Sequence, residues 1–167
     1  MTLRLVTSSA GATRGLGEAI GRVATGLLAL LLIGDYGSGK TTFVQGVAAG
    51  LGIDGPVRSP SYNIVKRYSQ GRLVLVHADL YRTHSNQEIE ELGLVEILGP
   101  DGILAVEWPG RYLPPFAGMP AVTVYFSMPP RVPGGDEAPP NERRLEISWS
   151  PECPAQVVEV LRAVAAR

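Results

Sequence analysis

The segment Gly34-Asp35-Tyr36-Gly37-Ser38-Gly39-Lys40-Thr41 constrains this chain more than any other, because it satisfies G-x-x-x-x-G-K-[ST] at every fixed position. Glycines let the backbone take conformations that a Cβ forbids, so successive N–H groups can turn inward on phosphate oxygens. A helix opening at Lys40 adds its positive N-terminal end. Lys40 can then reach the outer phosphates, and the Thr41 hydroxyl can ligate magnesium. The flanks agree with that reading. Leu27 to Ile33 is an unalternating apolar run, as expected of a strand buried on both faces of an α/β sheet. Helical spacing resumes from Thr41 to about Leu51 through Phe43, Val44, Val47 and Ala48.

The rest of the chain organises around this unit. Leu16, Ile20 and Val23 predict a helix from Thr13 to about Ala24, with Thr13 as its N-cap. Gly52 to Pro60 reads as a turn-rich, mobile connection. Ile64–Tyr68 and Leu73–Ala78 read as two strands joined through Ser69-Gln70-Gly71. Ser85 to Leu94 reads as a helix capped by Ser85, and Ile103 to Val106 as a buried strand ending at Glu107. Val122–Phe126 and Arg144–Trp149 form a late strand pair, separated by a Pro-rich, flexible surface connection over 128–140. A helix from Pro154 to Ala166 presents Val157, Val160, Leu161 and Val164 on one face. The expected architecture is a single α/β domain over residues 1–167, a mixed β-sheet flanked by helices.

Charge narrows the partners. Fifteen basic and 16 acidic residues give a formal charge of −1, which argues against affinity driven by a nucleic-acid backbone. One cysteine, Cys153, allows no internal disulfide and fits a reducing, cytoplasmic location. Leu27 to Ile33 is far shorter than the roughly 20 residues of a spanning helix, so no membrane is expected.

A glycine loop of this type works with a carboxylate that ends a nearby buried strand. Two acids qualify, Asp79 after Leu73–Ala78 and Glu107 after Ile103–Val106. Two such acids suggest one for the metal and one to orient water. The site therefore reads as one for a nucleoside triphosphate. The guanine-reading Asn-Lys-x-Asp signature is absent, which favours ATP. A small-molecule kinase stays open at this level, with Arg58, Arg67, Arg72 and Arg82 as candidates for a closing lid. So does a nucleotide-dependent binding module whose hydrolysis is incidental.

Further segments point to one family. Gly34–Thr42, Ser59-Pro60-Ser61-Tyr62, His77-Ala78-Asp79-Leu80-Tyr81-Arg82 and Glu107-Trp108-Pro109 resemble, in order and spacing, the motifs of the TsaE family. Glu90-Glu91-Leu92-Gly93 resembles that family's acidic helix ending in Leu-Gly. The likeness runs from about Thr13 to Pro109. It implies an ATPase that binds ATP or ADP with Mg2+ and is needed for N6-threonylcarbamoyladenosine in tRNA. It also implies action on a pair of partner proteins, TsaD and TsaB, with tRNA met only through that complex. On this resemblance Asp35, Tyr36, Gly37, Ser38, Gly39, Lys40, Thr41 and Thr42 hold the phosphates, and Thr41 with Glu107 ligates magnesium. Lys40, Asp79 and Glu107 form the catalytic set, with Asp79 the second acid. Ser61 lies in a switch-like segment from Ser59 to Tyr62, Trp108 beside the nucleotide, and Thr13 helps enclose it. His77 orders its strand end, and Tyr81 and Arg82 brace the loop that carries Asp79. Three positions depart from the family pattern: Ser61 replaces threonine, Tyr36 a leucine-like residue, and Ala78 an aromatic. Slow intrinsic turnover is expected, because no arginine finger sits in a motif.

Overall fold

The apolar run after Gly26 becomes β2 (Leu28–Gly34), and it lies at the centre of a seven-stranded sheet because both its faces need cover. The computed structural model describes residues 2–110, 116, 118–129 and 141–166. Along the chain the other elements are β1 (Thr2–Thr7), α1 (Ala10–Val23), α2 (Lys40–Gly50), β3 (Val65–Tyr68), β4 (Val74–Asp79), α3 (Asn86–Glu91), α4 (Leu94–Leu98), β5 (Gly102–Glu107), β6 (Ala121–Ser127), β7 (Arg143–Trp149) and α5 (Ala155–Ala165). The strand order is β1-β7-β6-β2-β5-β4-β3. The four inner strands, β6, β2, β5 and β4, run parallel, while β3, β7 and β1 pair antiparallel. The mixed α/β architecture expected from the sequence is thus the one observed.

Alternation along the inner strands divides the core in two. Leu28, Leu30, Leu32, Ile103 and Ala105 face α1, α2 and α5; Ala29, Leu31, Leu104 and Val106 face α3 and α4. Period-2 geometry explains this split, and both halves are apolar because helices cover both faces. Residues 79 and 107 end neighbouring parallel strands and stand opposite one another in register. Both carboxylates consequently emerge at the same edge, where the glycine loop leaves β2.

Close packing of α1 on α2 brings the N-terminal region to that edge. Gly17 and Gly21 of α1 meet Gly46 and Gly50 of α2 backbone to backbone. A Cβ at Gly46 would lie 1.9 Å from the Arg14 carbonyl oxygen, and one at Gly17 would lie 2.2 Å from that of Phe43. Arg72, on the β3–β4 connection, closes the other end of α1 by donating to the Ala24 and Gly21 carbonyls at 2.6 and 2.7 Å.

Several local expectations are corrected. Thr13 is not the N-cap of α1: Ser9 is, its hydroxyl accepting from Ala12 N at 3.1 Å, and Thr13 sits one turn inside. β1 is not among the expected strands; Leu3 and Leu5 alternate with the exposed Thr2, Arg4 and Val6 and pack half-buried on the core. The helix expected from Ser85 to Leu94 stops at Glu91, and a second short helix follows Gly93, whose φ of 58° ends the first. The connection 52–60 is irregular, yet Ile53 and Val57 are buried and Gln45 Nε2 donates to the Val57 carbonyl at 2.9 Å. Most of the Pro-rich stretch 128–140 lies outside the described residues. No described helix is long and apolar enough to cross a membrane. Burial pushes the Cys153 thiol up to about 11, which leaves it largely protonated near neutral pH.

Candidate functional site

Two glycines shape the loop between β2 and α2. Gly39 takes φ 106° at the N-cap of α2, a conformation L side chains rarely adopt. A Cβ at Gly34 would lie 2.5 Å from the Phe126 carbonyl oxygen of β6, so only glycine lets β2 turn there. Lys40, almost fully buried, folds back to donate from Nζ to the carbonyls of Gly34 (2.7 Å) and Asp35 (2.8 Å). Its ammonium also lies 4.2 Å from the centre of the Trp108 ring. Burial lowers its pKa from the ordinary lysine value, while Glu107, Asp79 and Asp35 oppose that shift. A phosphate chain beside Nζ acts in the same direction as those acids.

Glu107 and Asp79 are both buried and differently held. Thr41 Oγ1 donates to Glu107 Oε1 at 2.7 Å, and His77 Nε2 lies 2.9 Å from the same oxygen. His77 is fully buried and its Nδ1 has no partner, so a proton on Nε2 alone leaves the fewest unmet donors. Asp79 Oδ2 accepts from Ser59 Oγ (2.6 Å) and Ser61 Oγ (2.8 Å), and Oδ1 accepts from Tyr81 N (3.1 Å). Asp79 thereby ties the segment 59–62 to the end of β4. Thr41 Oγ1 and Glu107 Oε1 are adjacent hard oxygens, a donor pair that fits magnesium, which keeps most of its shell as water and phosphate oxygens. Among the described residues no group of three or more His, Cys, Asp or Glu converges on a point that would hold a metal by protein ligands alone.

A cleft of about 610 Å³ joins these groups. Of the residues picked from the sequence, Tyr36, Gly37, Gly39, Lys40, Thr41, Thr42, Ser61, Asp79, Glu107 and Trp108 all line it. Asp35 and Ser38 lie in the loop wall: Asp35 contributes its carbonyl to Lys40, and the Ser38 hydroxyl is buried without a partner. Trp108 has φ 58°, rare for a bulky residue, which fits a side chain held for its position at the cleft. Its amide donates to the Leu32 carbonyl, and its ring packs 5.0 Å from that of Tyr81. Tyr36 is 91% exposed and forms part of the outer rim.

Thr13 occupies a different position. It is buried, with Oγ1 2.8 Å from the Thr7 hydroxyl, and it lines a small cavity of about 70 Å³ beside the loop together with Gly37, Gly39, Thr42, Asn141 and Arg143. Of the four lid candidates only Arg82 reaches the main cleft. Arg72 caps α1, Arg67 donates to the Ile97 carbonyl, and Arg58 lines a separate recess.

Sequence reasoning missed Arg143. From the start of β7 it donates to the Ser38 carbonyl (Nε, 3.1 Å) and the Gly37 carbonyl (Nη2, 3.3 Å). It thus braces the glycine loop from a strand 105 residues away, and no local pattern marks it. Arg143→Ala is expected to cost about 1–2 kcal/mol and lower Tm by a few degrees. A thermal melt within a degree of wild type would contradict that bracing role.

With this geometry in view, similarity to known proteins becomes informative. A family model described as threonylcarbamoyl adenosine biosynthesis protein TsaE matches residues 7–128. The tRNA threonylcarbamoyladenosine biosynthesis protein TsaE of Treponema pallidum is 34% identical over 126 residues, covering 75% of this chain and 90% of that protein. The proteins of the same name from a Nostoc species and Bacillus subtilis are 42% and 49% identical over 105 and 79 residues. Those matches cover 59% and 47% of this chain, and 63% and 49% of the two relatives, so here the chain spans less than two thirds of each relative. The crystal structure of YdiB from Bacillus subtilis superposes with a TM-score of 0.70 at 25% identity, covering 99% of this chain and 95% of that one.

Proposed function

Because the chain belongs to the TsaE family of threonylcarbamoyl adenosine biosynthesis proteins, we propose that it binds ATP with magnesium, hydrolyses it slowly, and so serves tRNA N6-threonylcarbamoyladenosine formation by acting on a TsaD–TsaB complex. One observation carries this reading: a lysine, a hydroxyl and two buried strand-end carboxylates converge on the glycine loop within one cleft.

The roles follow from the atoms. Backbone N–H groups of the glycine loop and the start of α2 are offered to the phosphate chain, apart from that of Ser38, which donates to the Asp35 carbonyl, and Lys40 Nζ exchanges its carbonyl partners for phosphate oxygens. Thr41 and Glu107 would hold magnesium, which when bound neutralises phosphate charge. His77 holds the Glu107 carboxylate from behind. Asp79 accepts a hydrogen bond from a water, whose oxygen attacks the γ-phosphorus as the bond to the bridging oxygen breaks. ADP and phosphate leave, and Asp79 takes the released proton. The Ser59 and Ser61 hydroxyls, both already on Asp79 Oδ2, link that step to the segment 59–62. The near-neutral charge of the chain supports contact with proteins in preference to tRNA.

Asp79→Asn tests the assignment of the second acid. It keeps the shape and most hydrogen bonds but removes the base, so kcat for ATP should fall about 10²–10⁴-fold. Affinity for ATP, read by nucleotide titration, should change only a few-fold. An unchanged kcat in the purified variant would assign the water-orienting role elsewhere.

A further inference from the structure

A second recess lies on the α1–α2 face, outside the phosphate cleft. It has a volume of about 280 Å³ and is lined by Arg14 of α1, Gln45 of α2, and Ile53, Val57 and Arg58 of the 52–60 connection. Among the described residues neither Arg14 nor Arg58 has an ion-pair or hydrogen-bond partner. The acid nearest in sequence on α1, Glu18, is engaged by Arg22. Two uncompensated guanidinium groups bordering one recess create a local positive potential that an anion relieves. A guanidinium binds a carboxylate in bidentate fashion, and the apolar Ile53 and Val57 suit the hydrocarbon next to it. Two cations without a basic track do not suit a nucleic-acid backbone. The recess is also too small for a second nucleotide, since it falls just below the usual range for ligand pockets of ~300–1,000 Å³.

We infer that this recess is a carboxylate-binding site coupled to the phosphate cleft. The coupling is covalent and short: Arg58 precedes Ser59, whose hydroxyl donates to Asp79 Oδ2. Gln45 pins the connection through the Val57 carbonyl, so a carboxylate drawing Arg58 inward acts on the segment that holds Asp79.

Citrate serves as the probe, by isothermal titration against the wild-type chain, the Arg14→Ala/Arg58→Ala double variant and Lys40→Ala. The double variant should bind citrate at least about ten-fold more weakly, and Lys40→Ala within about two-fold of wild type. Arg14→Lys/Arg58→Lys, which keeps the charge but not the fork, should fall between, and a wild-type-like thermal melt of each variant excludes unfolding as the cause. Citrate binding lost in Lys40→Ala but kept in the double variant would place the anion in the phosphate cleft and overturn the inference. Absence of citrate binding to wild type would overturn it too. A second arm, which alone rests on the proposed function, identifies the source. Weaker association of the double variant with TsaD–TsaB assigns the carboxylate to a partner side chain, and unchanged association assigns it to a free small carboxylate. Because the citrate titration needs no partner and no hydrolysis, its failure is distinguishable from failure of the ATPase reading.

Discussion

Lys40→Ala should lower ATP hydrolysis by about 10²–10³-fold, the usual effect of removing one preorganised charge-stabilising donor, while leaving the fold intact. The side chain is nearly buried, and its two carbonyl partners lie within its own loop, so the fold loses only local hydrogen bonds. Burial already weakens its hold on the proton, with Glu107, Asp79 and Asp35 opposing that effect. A triphosphate adds further negative charge where the field is already arranged for it, which is why the loss falls on binding and turnover. Lys40→Arg should not restore activity, because a planar fork does not fit where a compact ammonium sits between two carbonyls and the Trp108 ring. Hydrolysis measured with saturating ATP and magnesium, beside a thermal melt, separates the two effects. A Lys40→Ala protein with wild-type turnover would remove the glycine loop from the mechanism.

Gly46→Val should have the largest effect on stability. Its Cβ would meet the Arg14 carbonyl oxygen at 1.9 Å, the Arg14 carbonyl carbon at 2.8 Å and the Glu18 nitrogen at 2.9 Å, all backbone atoms that no rotamer change can move. The helices must separate, and the cost should reach or exceed about 3 kcal/mol, the upper end of ordinary overpacking. For a protein of this size that is a Tm loss of roughly 6–12 °C. Gly15→Ala is the control on the same helix pair. Nothing lies within 4 Å of its Cβ position, so it should raise stability by about 0.5–1 kcal/mol. A Gly46→Val protein as stable as wild type would mean that α1 and α2 do not cross as described. If the crossing does hold Thr13 beside the loop, Gly46→Val should weaken nucleotide binding as well, since Thr13 Cγ2 lies 3.6 Å from where a Gly39 Cβ would stand.

Local chemistry made much of this legible in advance. An unalternating apolar run, glycines at required offsets and an acid at each strand end specified β2, the loop and two carboxylates before any tertiary contact was known. Segment resemblance then brought Ser61 and Trp108 to the same cleft. What escaped is non-local or ambiguous at short range. Asp79 and Glu107 face each other only because β4 and β5 are parallel neighbours, a pairing across 28 residues. Arg143 reaches Ser38 from the far end of the chain. Threonine favours caps, which points to Thr13, yet Ser9 four residues earlier has the extended backbone and makes the bond. The spaced glycines of α1 and α2 carry no local signal of a helix contact. They are nonetheless the contact between them. The turn-rich look of 52–60 did not reveal that Ile53 and Val57 anchor it in the core.

The central claim is that this cleft couples ATP hydrolysis to a TsaD–TsaB complex, and the most direct measurement is ATP hydrolysis by the purified chain, alone and with that complex, using Lys40→Ala as the blank. The expected result is slow turnover alone and clear stimulation by the complex, both abolished by Lys40→Ala. Unstimulated hydrolysis with no association, or stimulation that persists in Lys40→Ala, would contradict it.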